Sequence, residues 1–259
     1  MEPGHRPCRR AAEAPAGGPS GLHERSDQDP MSEMTIDTPA VAERLDAVRA
    51  RIAATGRAPD DIVVVAVTKG FGADAVEAAA AIGLDDVGEN YAQELDAKWK
   101  AVPGDGRRWH FLGRVQRNKV RTIAGAVHLW QGVDRVAAGE EIARRAPGAR
   151  VLVQVNIDGD GAPAGRNGCA PDGVPELVER LDGLGLDVRG LMAVGPPGEP
   201  ELARPGFRTV SALADRLGLA VRSMGMTDDF GVAVEEGSTM VRVGRGLFGA
   251  RPVAPSMRR

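Results

Sequence analysis

Lysine is scarce in this sequence. Of 259 residues, only Lys69, Lys98, Lys100 and Lys119 are lysines, and arginine supplies almost all the positive charge. Any lysine chemistry is therefore confined to four side chains. Cysteine is scarcer still: Cys8 sits in a polar tail and Cys169 in a Gly/Pro-rich stretch, with no CxxC pair. That excludes a disulfide framework and a thiolate metal site. The histidines, His5, His23, His110 and His128, show no pair at metal-ligand spacing. Aromatic residues make up 3% of the chain, too few for a platform on which single strands stack. The net charge is -3, without a basic excess or a block of like charge, so nucleic acid is not an expected partner. No apolar run approaches the ~20 residues that span a bilayer, and the Arg-containing N-terminus lacks the apolar segment of a secretory signal. No membrane association is expected, and the reducing cytoplasm is the expected compartment.

What is present is alternation. Residues 1–30 are rich in Pro, Gly, Ala, Arg and Glu without periodicity, and are expected to be a disordered N-terminal extension. Met31 and Met34 are both plausible starts, and Glu2, Glu13, Glu24, Asp27 and Asp29 argue against a transit peptide. Residues 31–259 are expected to form one domain. Val41, Leu45, Val48 and Ile52 recur at helical spacing and predict an amphipathic helix over 38–55. The run IVVVAVT at 62–68 predicts a strand buried on both faces. Helices are then expected at 73–82, 91–100, 118–124, 135–145, 175–184, 203–217 and 230–236. Strands are expected at 86–88, 109–112, 127–131, 150–157, 188–194, 219–224 and 240–243. Eight strand–helix units without hairpin signals imply a parallel sheet with crossover helices. The expected fold is α/β: a single (β/α)8 TIM barrel with an extra N-terminal helix, at a chain length usual for such barrels.

Lys69 ends the most hydrophobic strand, VVVAVTK. Polar groups at the C-terminal ends of barrel strands point into the mouth where active sites lie. A lysine partly withdrawn from water there has a lowered pKa and is a nucleophile toward an aldehyde. A lysine that merely snorkels out of the rim fits the same position. Lys98 and Lys100 are expected at the exposed end of a helix, and Lys119 among the polar neighbours Asn118 and Arg121. The loops after strands seven and eight, Ser223-Met224-Gly225-Met226-Thr227-Asp228-Asp229 and Arg242-Val243-Gly244-Arg245-Gly246, fall where barrels bind phosphate. Gly225, Gly244 and Gly246 permit close backbone approach, and Ser223 and Thr227 bring hydroxyls. Plain turns also carry such glycines. Arg242, inside the last strand, needs an acceptor. A structural carboxylate such as Glu89 or Asp228 would serve, as would the pyridine nitrogen of a cofactor. Asn90 either faces a ligand or caps the next helix. His110 reads as a satisfied core group.

Together these segments resemble the YggS/PROSC family of pyridoxal phosphate homeostasis proteins. The resemblance rests on AVTKG (66–70), GENYAQE (88–94), WHFLGRVQRNK (109–119), VLVQVNI (151–157), RGLMAV (189–194), SMGMTDD (223–229) and GSTMVRVGRGLFGAR (237–251), in order and at family spacing over residues 36–252. It implies the PLP-binding barrel of alanine racemase-like (fold type III) enzymes, with pyridoxal 5′-phosphate (PLP) as a Schiff base on Lys69. It further implies that Ser223, Gly225, Thr227 and Gly244 hold the phosphate with their neighbouring N–H groups, that Arg242 faces the pyridine nitrogen, and that Asn90 and Met192 line the ring. Two departures stand out. Pro163-Ala164-Gly165 replaces a Lys-x-Gly common in relatives, and Thr227 replaces the usual Ser of SMGMS while keeping the hydroxyl.

The resemblance implies a PLP-binding protein of vitamin B6 homeostasis, in which PLP-dependent apo-enzymes are candidate recipients and the chain is a monomer. A racemase-like PLP enzyme acting on amino acids is the alternative, and an enzyme of phosphorylated metabolites a third. Racemisation needs two bases on opposite faces of the substrate. The second, a tyrosine from an added β-domain in alanine racemases, is not expected here, because the chain ends soon after the eighth unit and its one tyrosine, Tyr91, opens a helix. A cationic Arg242 would also weaken the ring as an electron sink. A sugar-phosphate enzyme would need an acid/base pair at the barrel mouth, and none stands out. Binding without robust catalysis is therefore expected.

Overall fold

The computed structural model describes residues 36–104, 106–158 and 167–251. The N-terminal extension, Cys8, Met31, Met34 and the Pro163-Ala164-Gly165 departure lie outside them.

The chain enters through α1 (Thr38–Ala54). Asp37 caps it, accepting a hydrogen bond from Ala40 N at 3.3 Å, and the predicted stripe of Val41, Leu45, Val48 and Ile52 is its buried face. Eight strands follow, each succeeded by a helix. They are β1 (Val63–Val67), α2 (Ala73–Ala81), β2 (Asp86–Glu89), α3 (Ala92–Ala101), β3 (Arg108–Phe111), α4 (Arg117–Ile123), β4 (Val127–Val133) and α5 (Val136–Arg145). The second half comprises β5 (Arg150–Val155), α6 (Val174–Gly183), β6 (Asp187–Ala193), α7 (Arg204–Arg216), β7 (Val221–Ser223), α8 (Phe230–Glu235), β8 (Met240–Val243) and α9 (Arg245–Phe248). All ladders are parallel, and β1 closes onto β8 over Val63–Ala66 against Met240–Val243. The sheet is a closed barrel in the order β1 to β8, as the sequence predicts.

The predicted elements match to within two residues at each end. β7 is shorter than 219–224, and β5 ends at Val155, two residues before the end of the predicted strand. The four-residue helix α9 forms in a segment read from sequence as a loop, since glycines on both sides of its first residue mask the signal.

Two apolar shells lie between strands and helices. Inside the barrel, Val65, Leu129, Leu152, Met192 and Met240 form a smaller plug. Polar side chains share that interior: Asp86, His110, Gln131, Ser223 and Arg242 are all buried. Buried polar groups persist only when hydrogen-bonded, and these bond to one another.

Candidate functional site

At the C-terminal ends of the strands opens a cavity of about 320 Å³, within the usual range for small-molecule pockets. Lys69, Asn90, Met192, Thr227, Arg242 and Gly244 line it, so six of the eight site residues expected from the sequence converge there. Leu112, Val194 and Met226 supply an apolar wall, and Arg245 and Arg251 add positive charge at the phosphate-loop side. None of these five was given a role from the sequence, although all of them stand in its recognised motifs.

Lys69 follows the C-terminal end of β1. Its amine makes no hydrogen bond or ion pair with the described residues. Burial lowers its pKa from the ordinary lysine value, and the positive charges of Arg251 and Arg242 lower it further, against an upward pull from Glu89 and Glu94. An amine so placed is a better nucleophile at neutral pH than a solvated lysine.

Its neighbours in the chain are clamped. Lys98 Nζ donates to the Thr68 carbonyl at 2.8 Å, and Glu94 Oε2 accepts from Gly70 N at 2.8 Å. Thr68 Oγ1 donates to Glu89 Oε1 at 2.6 Å, and Lys98 closes the cluster onto Glu89 Oε1 at 2.5 Å and Glu94 Oε2 at 3.3 Å. This corrects the expectation that Lys98 is exposed: it is 6% exposed and ion-paired. Burial pushes the Glu89 carboxyl up in pKa, against the pull of Lys98, and its Oε2 has no partner among the described residues. Of the two carboxylates of GENYAQE, Glu94 thus holds the backbone after Lys69, and Glu89 holds the Thr68 hydroxyl and the Lys98 ammonium that binds the Thr68 carbonyl.

Arg242 is 4% exposed. NH1 donates to the Ser223 carbonyl at 2.6 Å and to Ser223 Oγ at 2.7 Å, and NH2 donates to the Ala193 carbonyl at 2.7 Å. Neither carboxylate proposed for it from the sequence is its partner. Glu89 belongs to Lys98, and Asp228 accepts from Arg245 at 2.7 Å. Burial brings the Arg242 pKa down to about 10, with Asp229 pulling it back up. A buried cation held only by uncharged acceptors, on the wall of a cavity, suits a ligand that brings an acceptor of its own.

Asn90 does not cap α3: Tyr91 occupies the cap position, without a side-chain bond, and is 60% exposed. Gly113 explains part of WHFLGRVQ. A Cβ there would fall 2.0 Å from the Asn90 carbonyl oxygen, so only glycine lets the β3–α4 loop cross the chain that carries Asn90. Thr227 Oγ1 accepts from Gly246 N at 3.2 Å and joins the two phosphate-type loops. Ser223 and Gly225 do not line the cavity. The Ser223 hydroxyl is engaged by Gln131 and Arg242. Gly225, at φ +90°, packs against α8, where a Cβ would meet Phe230 Cα at 2.7 Å. His110 is buried and bonded to Asp86 and Gln131, the core role expected of it.

The family profile described as alanine racemase, N-terminal domain, matches residues 36–252. The pyridoxal phosphate homeostasis protein of Pseudomonas aeruginosa is 40% identical over 82% of this chain and 96% of its own length. This chain belongs to the pyridoxal phosphate homeostasis protein family. The Escherichia coli K12 member is 34% identical over 82% of this chain and 97% of its own. PipY of Synechococcus elongatus PCC7942, solved with PLP bound, superposes with a TM-score of 0.68 at 30% identity, over 81% of this chain and all of PipY.

Proposed function

We propose that this protein binds PLP in the barrel-mouth cavity, with Lys69 as the covalent attachment point, and serves intracellular PLP homeostasis without robust turnover. The observation that carries the reading is the half-buried amine of Lys69, lowered in pKa and without a partner among the described residues, on the same cavity wall as the buried guanidinium of Arg242.

The donor set fits the cofactor. Bound PLP supplies an aldehyde for attachment to an amine and a ring that takes up charge from an attached amino acid. Lys69, Arg242, Arg245 and Arg251 line the cavity against a single carboxylate, Asp228, which favours a phosphate dianion. Thr227 brings a hydroxyl to that side, beside the turn at Gly244. Arg242 presents donors toward a ring-nitrogen acceptor, while Asn90, Met192 and Leu112 bound the ring space. Because Arg242 stays protonated at neutral pH, it leaves no proton to the ring nitrogen and weakens the ring as an electron sink.

Proton chemistry is poorly provided. Among the described lining residues, Lys69 is the only amine, Asp228 the only carboxylate, and neither tyrosine nor histidine occurs. Asp228 is tied to Arg245. Exchange of a substrate α-proton between two faces requires a second positioned base, and acid–base assistance is typically worth about 10²–10⁴-fold. Delivery of PLP to apo-enzymes by a cytoplasmic monomer belongs to the same reading. The test is α-proton exchange in deuterated water with alanine, serine and lysine, alongside chiral analysis and the visible spectrum. A yellow protein with only slow exchange is expected. Stereoinversion at several turnovers per second, abolished by Lys69→Ala, would establish an enzyme instead.

A further inference from the structure

We infer that Gln131 is a positioning residue for the cofactor pocket, and that a one-way chain of hydrogen bonds through the barrel interior ties the orientation of Arg242 to the tautomer of His110. The inference rests on the PLP-binding reading.

The chain is continuous and buried. Arg242 NH1 lies 2.7 Å from Ser223 Oγ, Ser223 Oγ 2.6 Å from Gln131 Oε1, Gln131 Nε2 2.7 Å from His110 Nδ1, and His110 Nε2 2.9 Å from Asp86 Oδ1. Arg108 closes the far end with a fork on Asp86, at 2.8 and 2.6 Å. All but Arg108 are buried residues, contributed by β8, β7, β4, β3 and β2. The chain therefore crosses the barrel from the cavity to the opposite end.

Its direction follows from chemistry. A guanidinium only donates, so Ser223 Oγ accepts from Arg242. The one hydroxyl proton then goes to Gln131 Oε1. The amide nitrogen of Gln131 faces His110, and its second proton meets Met240 Sδ at 3.2 Å. His110 Nδ1 is thus an acceptor, and the proton on Nε2 points at Asp86. Every donor points the same way, from a cation at the cavity to a carboxylate at the far end. Bonds aligned like this polarise one another.

Reversal of Gln131 would turn its NH2 toward Ser223. The hydroxyl would then receive two donors, Arg242 and the amide, and its own proton would lose its acceptor. The chain thereby selects one setting of Ser223 Oγ, and with it the guanidinium face left for the ring.

The experiment uses the whole protein and two variants, Gln131→Met and Gln131→Glu. Methionine keeps the length and drops both polar links. Glutamate keeps an acceptor for Ser223 but requires a proton on His110 Nδ1. We expect Gln131→Met to lose PLP on the order of tenfold faster, the factor equivalent to about 1.4 kcal/mol and to one hydrogen bond, with a shifted visible band. Gln131→Glu is expected to retain PLP near the wild-type rate. Side-chain nitrogen NMR should find His110 protonated on Nε2 in the wild type and on Nδ1 as well in Gln131→Glu. PLP loading should move the His110 nitrogen signals in the wild type but not in Gln131→Met. Equal PLP retention in all three proteins, or His110 signals indifferent to PLP in the wild type, would overturn the inference. Should Gln131→Met fail to fold, Ser223→Ala cuts the same chain one link nearer the cavity, with the same expected loss. A wild type that takes up no PLP would instead refute the binding reading, and the His110 tautomer in the cofactor-free protein would still decide the direction of the chain.

Discussion

Replacing Lys98 by methionine isolates what holds the strand end beneath Lys69. The change removes the cation that sits 2.5 Å from Glu89 Oε1 and the donor to the Thr68 carbonyl. Glu89 is fully buried and its Oε2 is already without a partner among the described residues. Breaking a buried pair by deleting one member costs about 3–5 kcal/mol, a large share of a typical domain's ~5–15 kcal/mol stability. The double variant Lys98→Met/Glu89→Gln leaves no orphaned charge. It should recover most of the loss, keeping a residual deficit of about 1–2 kcal/mol for the bare Thr68 carbonyl. The loss also depends on pH. Burial already raises the Glu89 pKa against the pull of Lys98, and without Lys98 it rises further. A carboxyl that is harder to ionise when folded is most favourable below the ordinary carboxylate value and loses that advantage as pH climbs through its folded pKa. Stability then falls by up to about 1.4 kcal/mol per pH unit in that window. The gap between wild type and Lys98→Met should therefore widen as pH rises above the ordinary carboxylate value. Urea unfolding at several pH values measures it, with PLP retention followed alongside. A single variant within about 1 kcal/mol of wild type at every pH would refute the reasoning.

Other outcomes follow from the same geometry. Gly113→Ala should cost about 1–3 kcal/mol and loosen PLP, because the added carbon displaces the Asn90 backbone; thermal unfolding with and without PLP separates the two effects. Pyridoxal lacking the phosphate should bind at least tenfold more weakly than PLP, since one charge-assisted hydrogen bond to a phosphate is worth roughly 1.5–3 kcal/mol; equal affinities in a spectrophotometric titration would contradict this. Arg251→Gln removes a charge that lowers the Lys69 pKa, so the pH profile for the rate of PLP attachment should move toward higher pH. An unmoved profile would show that Arg251 does not act on Lys69.

The barrel was legible because its signals are local. The β-branched run before Lys69 and the stripe Val41, Leu45, Val48, Ile52 each report their element without knowledge of the partners. The site was legible where chain position alone decides exposure, as for Lys69 at a strand end. It was not legible where a long side chain turns inward. Lys98 lies in α3 directly before half-exposed Trp99 and exposed Lys100, and nothing adjacent says that β2 delivers Glu89 beneath it. The partners of Arg242 were missed for a related reason, since they are the backbone carbonyls of Ser223 and Ala193, which a search for carboxylates passes over. Ser223 was placed by its motif on the cavity, whereas the alternation of side chains along β7 turns its hydroxyl into the barrel interior. The chain from Arg242 to Asp86 joins five strands, so His110 could be read as a core group but not assigned a partner.

The central claim is that Lys69 is where PLP is attached. Borohydride reduction of the PLP-loaded protein, followed by peptide mapping, tests it directly, because only four lysines compete for the label. The account predicts a phosphopyridoxyl group on the peptide containing Lys69, with bleaching of the visible band, and no label on Lys98, Lys100 or Lys119. A label on any of those three with Lys69 unmodified, or an unchanged visible band in Lys69→Ala, would contradict it.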